Sequence, residues 1–138
     1  MKNVLIDTNI ILDIALQRYP FFEQASQIFA KIDRGEIMGF ITASSVTDIY
    51  YMSRKSCGKE KTIAFIGELI DICEVLSVTK ENIIDALNTE FKDFEDAIQY
   101  CVADMNKMDM IVTRNKTDFK HSIIEVCTPN ELLKLKSI

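Results

Sequence analysis

The segment Val4-Leu5-Ile6-Asp7-Thr8-Asn9 places three large apolar residues directly before three polar ones. Consecutive branched apolar residues favour a strand that is buried on both faces of a sheet. The three polar residues are types that begin helices, and the apolar residues that follow recur at helical spacing as far as Ala15. The segment therefore predicts a buried strand that leads directly into a helix.

The same alternation of strand and helix continues along the rest of the chain. We expect further strands over residues 38–42, 74–78, 110–113 and 123–127, and helices over 21–34 and 62–73 with others beginning near residues 44, 79, 93 and 129. In the helix that begins at Thr79, we place Ile83, Ile84 and Leu87 on the inner face. Strands that alternate with helices form a parallel sheet covered on both faces. The sequence thus predicts one α/β domain over residues 1–138, with a central parallel sheet of about five strands.

Composition limits the classes of function. With 48% hydrophobic and 27% charged residues, the chain has a globular balance. Its net charge of −5 argues against binding nucleic acid through bulk positive charge, but bound cations reverse the field of an acidic metal site. Three of the four cysteines, Cys73, Cys101 and Cys127, lie in apolar runs, and we expect them to be reduced and buried. We expect a cytoplasmic protein with no signal peptide and no membrane span.

Acidic residues follow several of the predicted strands. Asp7 ends the first strand, Asp118 follows the fourth, and Asp48 and Asp96 lie in the first turns of predicted helices. Ligands of open α/β sheets bind beyond the carboxyl ends of the strands, so these acids should lie in one layer. Carboxylates suit hard cations such as Mg²⁺ or Mn²⁺, whereas a single histidine, His121, argues against a histidine-ligated zinc site.

Each acid also has a purely structural interpretation. Asp7 is a suitable helix cap, although Thr8 and Asn9 are equally suitable caps. The segment from Ser45 to Asp48 matches a capping box in which Asp replaces the usual Glu, so Asp48 is either a cap or a catalytic acid.

The remaining acids are equally ambiguous when each is taken alone. Asp93 and Asp96 are three residues apart, which fits an N-cap followed by an acid beside the helix dipole. Asp118 fits a turn within residues 115–118. A metal site is favoured because all of these acids fall in the same predicted layer.

Three segments together resemble the PIN-domain family, which includes the VapC-type toxins. They are residues 4–9, Asp93-Phe94-Glu95-Asp96-Ala97-Ile98-Gln99, and the stretch from Ile111 to Phe119, and they occur in the family's order across nearly the whole chain. The resemblance implies a three-layer α/β/α fold, dependence on Mg²⁺ or Mn²⁺, and endonucleolytic cleavage of RNA. It also implies a metal site formed by Asp7, Asp96 and Asp118, with Asp48 as a further catalytic acid and additional or supporting roles for Asp93, Thr8, Asn9, Thr113 and Asn115.

The chain departs from the family pattern at two positions. The second acidic residue of the toxins is commonly Glu, whereas Asp48 is one methylene shorter, which puts a direct metal contact in question. Position 115 is Asn where many relatives have Asp, which leaves Asp118 as the acid of that motif. Asp93 is an extra acid beside Asp96, so either of the two is a candidate ligand.

The implied chemistry needs no nucleophile from the protein. A metal held by carboxylates activates a water and stabilises charge on the phosphoryl oxygens. Arg114 and Lys116 are expected to contact neighbouring RNA phosphates. A non-catalytic PIN-like binding scaffold is the alternative. A receiver-type signalling domain ranks lower, because it requires an Asp at the end of the third strand and that strand ends here at Val78-Thr79-Lys80.

Large apolar residues cluster in two places where a small core would hide few of them. One cluster lies where the first helix breaks and the other lies on the third helix; together they comprise Tyr19, Phe21, Phe22, Tyr50, Tyr51 and Met52. Packing beneath the second helix would explain them, and so would an exposed contact surface. The resemblance favours the surface, since it implies a homodimer and an antitoxin partner.

Overall fold

Five strands and seven helices alternate along residues 1–135, which the computed structural model of the chain describes. The predicted domain runs to residue 138, so its last three residues lie outside the described ones. The strands are β1 (Asn3–Ile6), β2 (Met38–Thr42), β3 (Cys73–Leu76), β4 (Met110–Val112) and β5 (Glu125–Cys127). The helices are α1 (Thr8–Ala15), α2 (Phe22–Asp33), α3 (Ala43–Cys57), α4 (Lys59–Ile72), α5 (Lys80–Leu87), α6 (Phe94–Met105) and α7 (Pro129–Leu133), and a short 3₁₀ turn covers Lys116–Phe119.

The strands form one parallel sheet in the order β3-β2-β1-β4-β5. The α/β prediction is therefore confirmed, and the strand order differs from the 2-1-3-4-5 order of receiver-type folds. The chain proceeds from β1 to one edge of the sheet and returns to β4 on its other side. This switch in strand order opens a crevice at the carboxyl ends of β1 and β4.

The central strand β1 has apolar contacts on both of its faces. Val4 and Ile6 belong to a cluster with residues of α1, α2 and α7, whereas Leu5 packs with Ala103, Ile111 and Phe119 on the opposite side. Successive side chains of a strand point to opposite faces, which explains this division. The helices α5 and α6 complete the second outer layer, and the molecule thus has three layers.

Two local predictions were wrong. The helix α3 begins at Ala43, and its N-cap is Thr42, whose side chain accepts a hydrogen bond from the backbone N–H of Ser45 at 3.1 Å. Neither Ser44 nor Ser45 is the cap, so the capping box proposed for Asp48 does not form. The last residue of β2 is itself the cap, so the helix begins directly where the strand ends.

The prediction for the inner face of α5 was also wrong. Asn82 and Ala86 are its buried residues, whereas Ile83, Ile84 and Leu87 are 41%, 48% and 68% exposed. Thr79 and Asn82 form a reciprocal capping box, and Asn82 is fully buried with its amide 3.5 Å from the sulfur of Met105. The helix therefore turns a polar residue and a small residue inward, and its larger apolar residues face outward.

The cysteines agree with the expectation of reduced thiols. All four are free, and Cys73, Cys101 and Cys127 are buried while Cys57 is half-buried. Among residues 1–135, no helix is both long enough and apolar enough to cross a membrane.

Two glycines should respond to alanine in opposite directions. A Cβ on Gly39 would lie 2.6 Å from Cδ1 of Ile32 and 3.1 Å from Sγ of Cys73, so Gly39→Ala should destabilise the fold by about 1–3 kcal/mol. Gly67 lies within α4, and apart from the adjoining helix backbone no atom of residues 1–135 would lie within 4 Å of such a Cβ, so Gly67→Ala should stabilise by about 0.5–1 kcal/mol. Urea unfolding measures both changes in the free energy of unfolding. Equal changes for the two variants would contradict this account of β2 packing.

Candidate functional site

Asp7 follows β1 at the point where the strand order reverses. Its side chain is only 4% exposed, and its backbone N–H extends the β1–β4 pairing by donating to the carbonyl of Val112 at 3.0 Å. Gln99 donates from Nε2 to one carboxylate oxygen at 3.0 Å, and the Thr113 hydroxyl donates to the other at 2.8 Å. Asp7 makes no side-chain capping bond to α1, so the structural interpretation of this residue is not the one realised.

A buried polar network holds these donors in place. The backbone N–H of Thr8 donates to Oε1 of Gln99 at 3.2 Å, which fixes the amide so that its nitrogen faces Asp7. The Thr8 and Ser45 hydroxyls are 2.6 Å apart, and Ser45 lies 2.9 Å from the Thr42 hydroxyl. The network thereby joins the ends of β1 and β2 to α3 and α6.

Asp96 and Asp118 line one cleft of about 260 Å³ beside α6, together with Glu90, Phe91, Lys92, Asp93, Thr117, Lys120 and His121. Asp93 is the N-cap of α6, since its side chain accepts from the backbone N–H of Asp96 at 3.0 Å. Burial, together with the negative charges of Asp7, Asp93 and Asp118, raises the pKa of Asp96 to about 7. The negative charges of these acids therefore repel one another at this site.

Glu95 forms a second acidic pair with Asp48. Burial, together with the neighbouring carboxylates of Asp48 and Asp7, raises the pKa of Glu95 to about 8, and the nearby Thr8 opposes the rise. Asp48 lies in the second turn of α3, beyond the reach of the capping position. The structure thus brings Asp48 towards the predicted acids through Glu95.

Sequence reasoning missed Glu95 and Gln99. Both belong to the motif that begins at Asp93, and Gln99 lies three residues after Asp96 and four after Glu95, so the three share one face of α6. Gln99 is fully buried between apolar neighbours, and a polar residue within an apolar helical stripe was the available signal. It is this residue that ties α6 to Asp7.

The side chains of other predicted residues have other surroundings. Asn9 is exposed, and Asn115 caps the 3₁₀ turn by accepting from the backbone N–H of Thr117 at 3.3 Å. Lys116 pairs with the exposed Glu131 at 3.2 Å. Arg114 makes an ion pair with buried Asp13 at 2.9 Å, so its Nε faces the interior of the protein.

The acids fit a hard divalent cation. Among residues 1–135, no three acidic, histidine or cysteine side chains are arranged as a ready-made ligand set. Mg²⁺ commonly retains several waters and binds through one or two carboxylates, so a complete cage is not required. The raised pKa values of Glu95 and Asp96 reflect crowded, partly desolvated carboxylates, and a cation is the charge that relieves such crowding.

Comparison with known proteins gives a consistent result. The PIN domain family model matches residues 3–117. Ribonuclease VapC1 of Aquifex aeolicus (strain VF5) is 27% identical over 135 residues, which cover 94% of this chain and 92% of the relative.

Solved structures share the fold at low sequence identity. VapC20 of Mycobacterium tuberculosis, a sarcin-ricin loop cleaving toxin, superimposes with a TM-score of 0.71 at 12% identity, over 89% of this chain and 98% of that one. DNA-bound VapBC of Salmonella typhimurium gives 0.69 at 19% identity, over 94% and 99% of the two chains. A toxin–antitoxin complex of Klebsiella pneumoniae gives 0.66 at 23% identity, over 91% and 97%.

Acid crowding should make the metal-free protein less stable as pH rises. Asp96 has a pKa of about 7 in the fold and the ordinary lower value when unfolded, so its contribution is present in acid and is lost as pH rises through about 7. Asp96→Asn removes this loss. We expect the melting temperature in a chelator to fall less between pH 5 and pH 8 for Asp96→Asn than for the wild type.

Asp104→Asn is the matched control, because it removes an exposed acid from the far end of the same helix. It should retain the wild-type dependence on pH. Parallel curves for the wild type and Asp96→Asn would show that Asp96 is not crowded.

Proposed function

The chain belongs to the PIN domain family, and we propose that it is a metal-dependent endoribonuclease that hydrolyses RNA phosphodiester bonds. The observation that supports this most directly is the buried, doubly hydrogen-bonded Asp7 at the strand-order switch, with Asp96 close enough to be affected by its charge. The name of the Aquifex relative, a ribonuclease that aligns over almost its whole length, supports RNA as the substrate.

Asp7, Asp96 and Asp118 would hold the ion, which is Mg²⁺ or Mn²⁺. When bound, such an ion activates a water and stabilises charge on the phosphoryl and leaving oxygens. Asp7 already accepts one hydrogen bond on each oxygen, and a carboxylate has about four lone-pair sites, so it retains acceptor capacity for a ligand role. Gln99 and Thr113 orient Asp7, which supporting partners commonly do for metal ligands.

Basic residues at the cleft suit a polyanionic substrate despite the negative net charge. Lys92 and Lys120 line the same cleft as Asp96 and Asp118. Lys116 is 47% exposed and pairs with exposed Glu131, a contact that costs little to exchange for a phosphate. We assign the phosphate contacts to these lysines, since Arg114 is engaged with Asp13.

The proposed biological role is that of the toxin in a toxin–antitoxin pair, acting as a homodimer. The solved complexes with this fold include a toxin–antitoxin complex and VapBC bound to DNA. Apolar residues suited to partner contacts are exposed: Tyr19 is 94% and Tyr51 59% exposed, and Phe21, Phe22 and Met52 are also exposed. The half-buried Tyr50 packs edge-on against Tyr51, with ring centroids 5.2 Å apart.

Charge removal at the metal site tests the enzymatic proposal. Asp7→Asn should still fold, because its amide oxygen accepts from Gln99 while the Thr113 hydroxyl turns to accept from its nitrogen. Asp7→Asn and Asp96→Asn should each lower Mn²⁺-dependent cleavage of single-stranded RNA by more than about 100-fold, at least the loss typical for a partner of a metal ligand.

The control for this assay is again Asp104→Asn, which should cleave like the wild type. Activity should also require added metal and disappear in a chelator. Full activity of Asp7→Asn would overturn the site assignment, and an inactive wild type with either metal would favour the non-catalytic scaffold.

Association in solution is a separate prediction. Light scattering should give twice the 15.8 kDa chain mass, falling towards the monomer on dilution. Tyr51→Asp should weaken the dimer if the aromatic surface forms it, whereas Leu87→Asp should do so if the exposed face of α5 forms it. A monomer mass that is independent of protein concentration would refute the dimer.

A further inference from the structure

We propose that Asp13 is a positioning residue of the active site: through Arg114 it fixes the segment 113–118 against α1. In its kinetic consequences, this inference rests on the proposed ribonuclease activity. Its structural consequence is independent of that activity, because it concerns only how rigidly residues 113–118 are held.

Asp13 is an acid in the interior of the protein. It lies on α1 and is 1% exposed. Its Oδ2 is 2.9 Å from Nε of Arg114, and its Oδ1 is 3.6 Å from Nη1 of Arg18. Among residues 1–135, neither oxygen has a hydrogen-bond partner of good geometry, so the carboxylate depends on these two guanidinium groups for its compensation.

Arg114 is held from two directions. Its Nε atom is buried against Asp13, and its guanidinium carbon lies 4.0 Å from the ring centroid of Phe21, just before α2. A planar guanidinium over an aromatic face is a favourable cation–π arrangement. The side chain is thus clamped between α1 and the connection from α1 to α2.

The neighbours of Arg114 along the chain connect this clamp to the site. The preceding residue, Thr113, donates to Asp7 from its hydroxyl and to the carbonyl of Cys127 from its backbone N–H. The following residue, Asn115, caps the 3₁₀ turn that carries Asp118. Residues 115–118 are exposed, so the Asp13–Arg114 pair is a buried tie at the start of this exterior stretch, and the buried Phe119 is the tie at its end.

Direct contact of Arg114 with RNA is the competing interpretation. Two guanidinium groups around one carboxylate leave one positive charge in excess, and each arginine side chain is 29% exposed. Arg114 nevertheless presents its buried Nε to Asp13 and one face of its guanidinium to Phe21, which favours an internal role.

Arg114→Gln and Arg18→Gln form a matched pair of variants. Each removes one cation from the same carboxylate, each starts from a side chain that is 29% exposed, and Asp13 retains a partner in both. Only Arg114 lies within the segment. We expect Arg114→Gln to speed backbone amide exchange at Thr117 and Asp118 by about 10-fold or more in the metal-free protein, while Arg18→Gln leaves it near the wild-type rate.

Kinetics provide the second measurement. Arg114→Gln should lower kcat of Mn²⁺-dependent RNA cleavage by about 10–100-fold, with little change in KM, and Arg18→Gln should change neither. Asp13→Asn retains the charge of Arg114, so a positioning role predicts the kcat loss of Arg114→Gln and non-additivity in the double variant. A rise in KM alone for Arg114→Gln, with Asp13→Asn fully active, would assign Arg114 to RNA and overturn the proposal.

The two measurements separate this inference from the proposed function. Equal amide exchange in Arg114→Gln and Arg18→Gln would overturn the positioning role even in an active ribonuclease. Faster exchange confined to Arg114→Gln would support it even if the wild type cleaved no RNA. Should Asp13→Asn fail to fold, the matched arginine pair still decides, because the carboxylate keeps one cation in each variant.

Discussion

A buried carboxylate at the end of a buried strand is the constraint on which this structure depends. Asp7 lies at the end of β1 with almost no access to water. An unpaired charge at such a buried position costs a large amount of free energy. Its two hydrogen-bond donors come from distant parts of the chain, Gln99 on α6 and Thr113 after β4. The placement of α6 over the sheet and the pairing of β4 beside β1 are therefore coupled to the hydrogen bonds of one side chain.

The burial of Asp7 at this position also crowds negative charges together at the start of α6. Asp96 and Glu95 project from the first turn of α6 towards Asp7 and Asp48, and both are held with raised pKa values. The extensive apolar contacts on both faces of β1 stabilise the fold against this repulsion. If the proposed metal site is correct, stability of the metal-free fold and affinity for a cation are in opposition at this edge of the sheet, a common trade-off at functional sites.

Periodic features of the sequence predicted the fold well, whereas features that depend on tertiary partners were not accessible. The apolar run of β1 and the capping residue Asp93 are local patterns, and both occur as expected. The orientation of α5 is set by the burial of Asn82 against Met105, a contact that helical periodicity does not contain. The sequence offered individual candidate acids, but the link between Glu95 and Asp48 and the pairing of Asp13 with Arg114 join residues far apart in the sequence.

The pairing of β1 with β4 determines when the site forms during folding. The hydrogen bond between Thr113 and Asp7 spans 106 residues, whereas β1 and β2 are joined by a much shorter connection. Closing the longer loop costs more conformational entropy, so the β1–β2 pair has the kinetic advantage. A nascent chain still on the ribosome can form the first strands and helices, but it holds Asp7 without Gln99 and Thr113 until most of its length has emerged. The site is therefore completed late in synthesis, and a truncated translation product that ends before β4 lacks it altogether.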